Sequence, residues 1–240
     1  MDIANFISPK QLLKIKSDIA EEAIIRANPI IAANYQDGIM VIAENPTTTL
    51  FKITELYDRI VFAGTGVYND YEKLRRSGVQ YADVKGFTYS RSDVKAKSIA
   101  GEYSRILGDI FSTQHTPMEV EILVLELSEN NENNAMYYIP YTGSIIEERK
   151  IAVIGDIYKE PDSDVKKKNI IREHLNTLEN IGNLDMTQTF RLLKDALSTV
   201  KTNNSILTPE NIELVVLDRK INKDRKFRRV SIEEMKGMLT

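Results

Sequence analysis

The chain predicts an α+β fold in which two β-sheets stack face to face and helices cover the outside. Strand-like runs arrive in clusters of four, three and two, and helical patterns arrive in pairs between those clusters. A parallel βαβ architecture would instead alternate one strand with one helix, so paired sheets flanked by helices are the better solution. No linker-like segment and no short fixed repeat divides the 240 residues, so one domain is expected over 9–240, behind a tail over 1–8.

The opening helix is signalled by Ser8-Pro9-Lys10-Gln11. Ser stands at the N-cap, Pro at the first helical position, and Gln three residues after the cap, a capping box that satisfies otherwise orphaned N–H groups. Leu12, Ile15, Ile19 and Ala23 then recur at helical spacing, flanked by Ala20, Ile24 and Ala27, with Lys14, Asp18, Glu21 and Glu22 opposite. Pro29 ends this helix near Asn28. Its apolar stripe has two possible partners, the domain's own sheet or a neighbouring molecule.

Strands are expected at 30–35 and 39–43, around the hairpin signal Asp37-Gly38, then at 50–56 and 60–63, the last running into Gly64-Thr65-Gly66. A helix follows over 69–78, with Asp70 and Glu72 favourable in its first turn. A second long helix starts at Ser92 and carries Val94, Ile99, Tyr103, Ile106 and Ile110 on one face. Three strands come next, at 120–127, 136–141 and 151–154, with the polar stretch 128–134 as an exposed hairpin loop. Helices over 163–180 and 187–201 and a hairpin of 212–217 with 227–230 complete the body. Ser231-Ile232-Glu233-Glu234 opens a short terminal helix with another capping box.

Composition narrows the chemistry. Cysteine is absent, which removes disulfides, thiolate metal sites and Cys nucleophiles, and the two histidines are far apart. The formal net charge of -3 gives no global electrostatic case for nucleic acid. No uncharged apolar stretch has the length of a membrane span, and Asp2 interrupts the start. A soluble cytoplasmic protein without metal or cofactor is the expectation.

Particular runs go further than composition. Phe6-Ile7-Ser8-Pro9, Ala43-Glu44-Asn45-Pro46, Lys52-Ile53, Glu55-Leu56-Tyr57-Asp58-Arg59 and the segment Leu74 to Asp83 resemble alpha subunits of actinobacterial-type proteasomes. So do Leu107-Gly108-Asp109-Ile110-Phe111, Tyr141-Thr142-Gly143-Ser144-Ile145, the run 213–218 and Phe227-Arg228-Arg229-Val230. The resemblance implies a four-layer αββα sandwich, the N-terminal-nucleophile hydrolase fold, with an extra N-terminal helix. It also implies a non-catalytic subunit whose seven-membered ring caps beta rings, templates their assembly, gates substrate entry and docks a ring-shaped ATPase. The implied substrates are proteins, including ones tagged with a ubiquitin-like protein.

By that resemblance Lys52 lies in a pocket between neighbouring alpha subunits, where its ammonium would pair with the C-terminal carboxylate of an ATPase tail. Gly66 and Val67 match a wall of the same pocket, the glycine permitting close backbone approach. The gate would be the tail Asp2, Ile3, Ala4, Asn5, Phe6 and Ile7, hinged at Ser8 and Pro9. Tyr57-Asp58-Arg59 lies too far along the chain to act as the gate motif found near the N-termini of archaeal and eukaryotic relatives. A surface facing the beta ring is expected around Tyr103 to Phe111.

Two alternatives are open to test. A catalytic, self-processing relative needs Thr, Ser or Cys freed at the head of the first strand, where its own amine serves as base. Gly64-Thr65, Gly143-Ser144 and Thr47-Thr48-Thr49 offer the residue types, but each follows predicted strands that cleavage would remove. A nucleic-acid module would use the basic cluster Arg219, Lys220, Lys223, Arg225, Lys226, Arg228 and Arg229, although Phe227 alone supplies an interleaved aromatic.

Overall fold

The computed structural model describes residues 8–47, 49–159, 166–177, 181–199 and 207–239. In chain order the first half holds α1 (Pro9–Arg26), β1 (Ile30–Tyr35), β2 (Gly38–Glu44), β3 (Ile53–Tyr57), β4 (Ile60–Gly66), α2 (Tyr68–Thr88) and α3 (Ala96–Thr113). Next come β5 (Val120–Glu126), β6 (Ala135–Pro140), β7 (Ile146–Glu148), β8 (Ile151–Ile154), β9 (Ile157–Lys159) and β10 (Lys166–Lys168). The chain continues through α4 (Ile170–Asn176), α5 (Met186–Ser198), β11 (Ile212–Asp218), β12 (Phe227–Arg229) and α6 (Ile232–Leu239).

One sheet has the order β12-β11-β2-β1-β8 and the other β3-β4-β5-β6-β7, with antiparallel pairing throughout both. Between them lies an apolar layer in which Ile30, Ala32, Val41 and Ala43 of the first sheet meet Ile53, Val61, Leu123 and Leu125 of the second. The alternate residues point outward. Ile31, Met40, Ile42, Leu214 and Val216 pack under α4, α5 and α6, while Phe62, Ile122 and Val124 pack under α2 and α3. The result is a four-layer αββα sandwich. Its central strands are buried on both faces, which is why they read as continuous apolar runs without alternation.

Most predicted elements sit where periodicity placed them, and the departures have local causes. The helix expected over 163–180 is instead a strand followed by one short helix. Lys166–Lys168, which lies inside that expected helix, pairs antiparallel with Ile157–Lys159. Asn169 then takes a left-handed conformation (φ 64°), which breaks any continuous helix. The Asp156 carboxylate accepts from the N–H groups of Ile171 and Arg172 at 3.1 and 3.0 Å, so α4 is capped from a distant segment that a sequence window does not contain. Helix α3 begins four residues later than expected, behind a 3-10 turn at Arg91–Asp93. Strand β3 begins at Ile53 rather than Leu50, and the short, exposed β7 carries too little apolar pattern to be read.

Helix α2 runs ten residues past the expected stop at Gly78. Gly78 is not a terminator but a crossing point. A Cβ built there would lie 1.7 Å from the Tyr103 hydroxyl of α3. Gly78→Ala would gain about 1 kcal/mol from helix propensity, but the overpacking against a buried ring costs about 1–3 kcal/mol and decides the sign. The Tyr103 hydroxyl is buried and has no hydrogen-bond partner among the described residues, so its removal is cheap. We therefore expect Gly78→Ala to lower the melting temperature by up to roughly 8 °C, Tyr103→Phe to leave it nearly unchanged, and the double variant to recover most of the loss.

Candidate functional site

Helix α1 crosses the end of the sandwich and is held by a narrow stripe. Lys16, Ala20 and Ile24, spaced by four, are its buried residues. Ala20 and Ile24 pack with Tyr141 and Ile157. The Lys16 ammonium donates to the Phe111 carbonyl at 2.8 Å, filling one of the acceptors that the C-terminus of α3 leaves open. Glu21 pairs with Lys166 at 3.0 Å and Lys168 at 2.6 Å, which binds the β9–β10 hairpin to the helix. Burial pushes the Glu21 carboxyl up, and the two ammoniums outweigh it and hold it below its ordinary range.

The stripe singled out by sequence faces the other way. Leu12, Leu13, Ile15 and Ile19 are 37–47% exposed. The question left open by periodicity is thereby answered: this face does not pack on the domain's own sheet. Beside it runs a groove of about 440 Å³, lined by Ile15, Ile19, Ala23 and Arg26 of α1 and by Glu119 before β5.

Past the C-terminus of α1 the backbone carbonyl of Asn28 gathers two donors. Lys52 Nζ reaches it at 3.3 Å and Thr65 Oγ1 at 2.9 Å. Lys52 is not a solvated strand lysine; it stands just before β3 and is partly buried. Desolvation pulls its ammonium down to about 8, against the opposing fields of Glu213 and Glu44. Gly66 closes β4 with φ +108°, and a Cβ there would lie 2.1 Å from the Glu119 carbonyl oxygen, so glycine is required both by conformation and by space. Val67 donates its N–H to that same carbonyl at 2.9 Å and leads into α2 with its side chain 38% exposed. Lys52, Gly66 and Val67 therefore come together at one end of the sandwich, beside α1 and its groove.

Ser8 and Pro9 open α1 with the expected capping box. Gln11 N donates to Ser8 Oγ at 3.3 Å and Ser8 N to Gln11 Oε1 at 2.9 Å. The gate candidates Asp2 to Ile7 lie outside the described residues, as does Thr48.

The alternative candidates are absorbed by the fold. Thr65 lies within β4, paired with Glu121 of β5. Thr47 bonds Asn45 Oδ1 at 2.8 Å in a loop, and Gly143-Ser144 follows β6 in a turn with Gly143 at φ +83°. Most of the basic hairpin is spent internally. Lys220 pairs with Asp37, Arg225 with Glu55, Arg228 with Glu234 and Arg229 with Glu213, while Arg219 donates to the Ser128 carbonyl and Asn134. Cations already neutralised by neighbours have little counterion-release drive left for phosphate.

The stretch Tyr103 to Phe111 turns its apolar side inward and leaves Arg105 and Asp109 exposed. Tyr103 and Leu107 are buried under the sheet, and Phe111 stacks on Tyr141 with ring centroids 5.7 Å apart. A second exposed apolar patch stands instead at the end of α2, where Val84, Phe87 and Tyr89 are 59, 94 and 75% exposed. Val84 and Tyr89 border a wider groove of about 980 Å³ that runs towards Lys95.

Sequence reasoning missed two residues as site elements, Glu121 and Glu213. Both are buried acids at the second position of strands whose next four residues are apolar, a pattern that signals a waiting partner. Glu121 accepts from the Tyr138 hydroxyl and from Gly155 N, each at 2.7 Å, and burial raises its carboxyl above the ordinary range despite both bonds.

Known proteins similar to this chain match it over most of its length. A family model described as proteasome subunit matches residues 25–217. A protein named proteasome subunit alpha from Acidimicrobium ferrooxidans is 35% identical over 239 residues, covering 100% of this chain and 97% of that relative. Its namesakes from Geodermatophilus obscurus (36%; 100% of this chain, 82% of the relative) and Kineococcus radiotolerans (35%; 98% and 96%) are similar to the same extent.

The site's electrostatics are directly measurable. Amine-reactive labelling of Lys52, read by mass spectrometry across pH 6–11, is expected to rise with a midpoint near 8. A midpoint above ~10, the ordinary lysine range, would contradict the desolvated environment.

Proposed function

We propose that this chain, which belongs to the proteasome subunit family among alpha subunits of the actinobacterial type, is the non-catalytic outer-ring subunit of a protein-degrading barrel. The observation that carries this reading is α1. Strand β1 opens at Ile30 as a direct continuation of α1 through Asn28 and Pro29, where a catalytic relative would present a nucleophile with a free amine. Lys52 and Thr65, which face that position, are bonded to the Asn28 carbonyl instead.

Ring formation is supported by the exposed face of α1. A domain that leaves four large aliphatic side chains of one helix in water, beside a groove, has surface suited to a second copy of itself. A beta ring would take the other apolar patch, Val84, Phe87 and Tyr89. Lys52 would receive the C-terminal carboxylate of an ATPase tail at the boundary between neighbouring subunits, with Gly66 and Val67 as wall. A charged contact in a partly desolvated pocket is stronger than the same contact in water. The tail Asp2 to Ile7 would leave the capped end of α1 at Ser8 and Pro9 and close the axial opening, and protein substrates would pass it in unfolded form.

Co-expression with the beta subunit of the same cell, followed by native mass measurement and imaging, is expected to give a seven-fold four-ring barrel. Ile15→Asp with Ile19→Asp should prevent that assembly while the monomer keeps its helical circular dichroism; intact barrels would refute the interface. In the assembled particle Lys52→Ala should abolish ATPase-stimulated protein degradation and leave peptide hydrolysis unchanged. Deleting residues 2–7 should raise basal peptide hydrolysis several-fold, and an unchanged rate would remove the gate assignment.

A further inference from the structure

Glu213 is 6% exposed and receives four hydrogen bonds. Its Oε1 accepts from Ile53 N at 3.0 Å and from an Arg229 terminal nitrogen at 2.6 Å, and its Oε2 from Lys52 N at 3.0 Å and Asn45 Nδ2 at 2.7 Å. The carboxylate comes from β11 in one sheet, whereas Lys52 precedes and Ile53 opens β3, an edge strand of the other. Arg229 of β12 grips the residues on either side of Lys52. Its guanidinium lies 4.0 Å from the centre of the Phe51 ring, and its other terminal nitrogen donates to the Ile53 carbonyl at 2.8 Å. Lys52 therefore has both flanking residues and its own backbone N–H fixed by one ion pair.

The same pair stands in the field acting on the Lys52 ammonium. Around that ammonium are the Asn28 carbonyl from the end of α1, the Thr65 hydroxyl of β4 on the same carbonyl, Glu213 of β11 and Glu44 of β2. The two carboxylates favour the charged amine, Glu213 more strongly, against the penalty of burial. Arg229 partly neutralises Glu213 through their contact.

We propose that the Glu213–Arg229 pair is the positioning device of the Lys52 site. Glu213 holds the lysine backbone and supplies the negative field that keeps its ammonium charged, and Arg229 sets how much of that field arrives. The functional consequence rests on the reading of Lys52 as the contact for a carboxylate-ended partner, and acceptance of that carboxylate requires the charged amine. Neither residue touches the partner; both act through Lys52.

The test uses the assembled particle with Glu213→Gln, Arg229→Met, the conservative Arg229→Lys, and Lys52→Ala as reference. The first readout is the pH midpoint of Lys52 labelling. Glu213→Gln is expected to lower it and Arg229→Met to raise it, each by about half to one pH unit, a three- to ten-fold change in the protonation equilibrium. Arg229→Lys should stay near wild type. The second readout is the concentration of the ring ATPase of the same cell that half-stimulates degradation. For Glu213→Gln it should rise several-fold at pH 8, with the deficit shrinking at pH 6.5, where the amine is charged in both proteins. A purely structural role predicts an unmoved midpoint and a deficit equal at both pH values, and either result overturns the proposal. Midpoints that move in the same direction for both variants overturn it as well. Should Glu213→Gln fail to fold, the upward shift in Arg229→Met still decides. Midpoints that move as expected without any change in ATPase response would support the positioning role and refute Lys52 as the docking residue.

Discussion

Two buried carboxylates hold the sheets of this sandwich in register at the end where α1 arrives. Glu121 reaches from β5 to the N–H of Gly155, just past β8 of the opposite sheet, and Glu213 reaches from β11 to the N–H groups of Lys52 and Ile53 at the head of β3. The aliphatic layer between the sheets supplies the bulk of the attraction, but burial of methyl groups is non-directional and would tolerate sliding. A carboxylate with fixed donors does not tolerate it, because displacement strands a buried charge or an orphaned N–H. Each acid also faces an edge where strand pairing leaves backbone donors open. Sheet stacking and the geometry of the Lys52 region therefore have a common origin.

The first helix shows how one element serves two surfaces. Its contact with the domain uses Lys16, Ala20 and Ile24, a stripe about as narrow as a helix can use. Small Ala20 lets the backbone come close, and Lys16 spends its charge on the open carbonyl end of α3. The broader aliphatic face remains outside. The domain keeps its helix through that stripe and through specific polar contacts such as Glu21 with Lys166 and Lys168. The same helix runs on into β1, so a single feature leaves an aliphatic face exposed and joins the first strand without a break.

Legibility in the sequence followed the range of the interactions. Ser8, Pro9 and Gln11 act within one turn, and the cap they announce is present. Strands β1, β2, β5 and β11 were readable as apolar runs bounded by turns because both their faces are buried. Misreadings occurred where a partner lies far along the chain. Lys166–Lys168 belongs to a strand because β9 pairs with it and Glu21 receives two of its lysines, and α4 starts where Asp156, from another segment, caps it. Gly78 reads as a stop until Tyr103 is seen crossing beneath it. The basic hairpin looks like a cationic patch until Asp37, Glu55, Glu213 and Glu234 are folded against it.

By itself the sequence determined the order and kind of most elements, the stacking of two sheets under helices, and the residues through which the chain resembles its relatives, since these depend on periodicity and local turn chemistry. Tertiary structure alone decided which face of α1 stays in water, that Lys52 sits desolvated against the Asn28 carbonyl, and that Glu213 and Arg229 hold it there. Those outcomes are set by burial and by fields between residues up to 177 positions apart (Lys52 to Arg229), and neither burial nor field exists until the strands that carry them have been brought side by side.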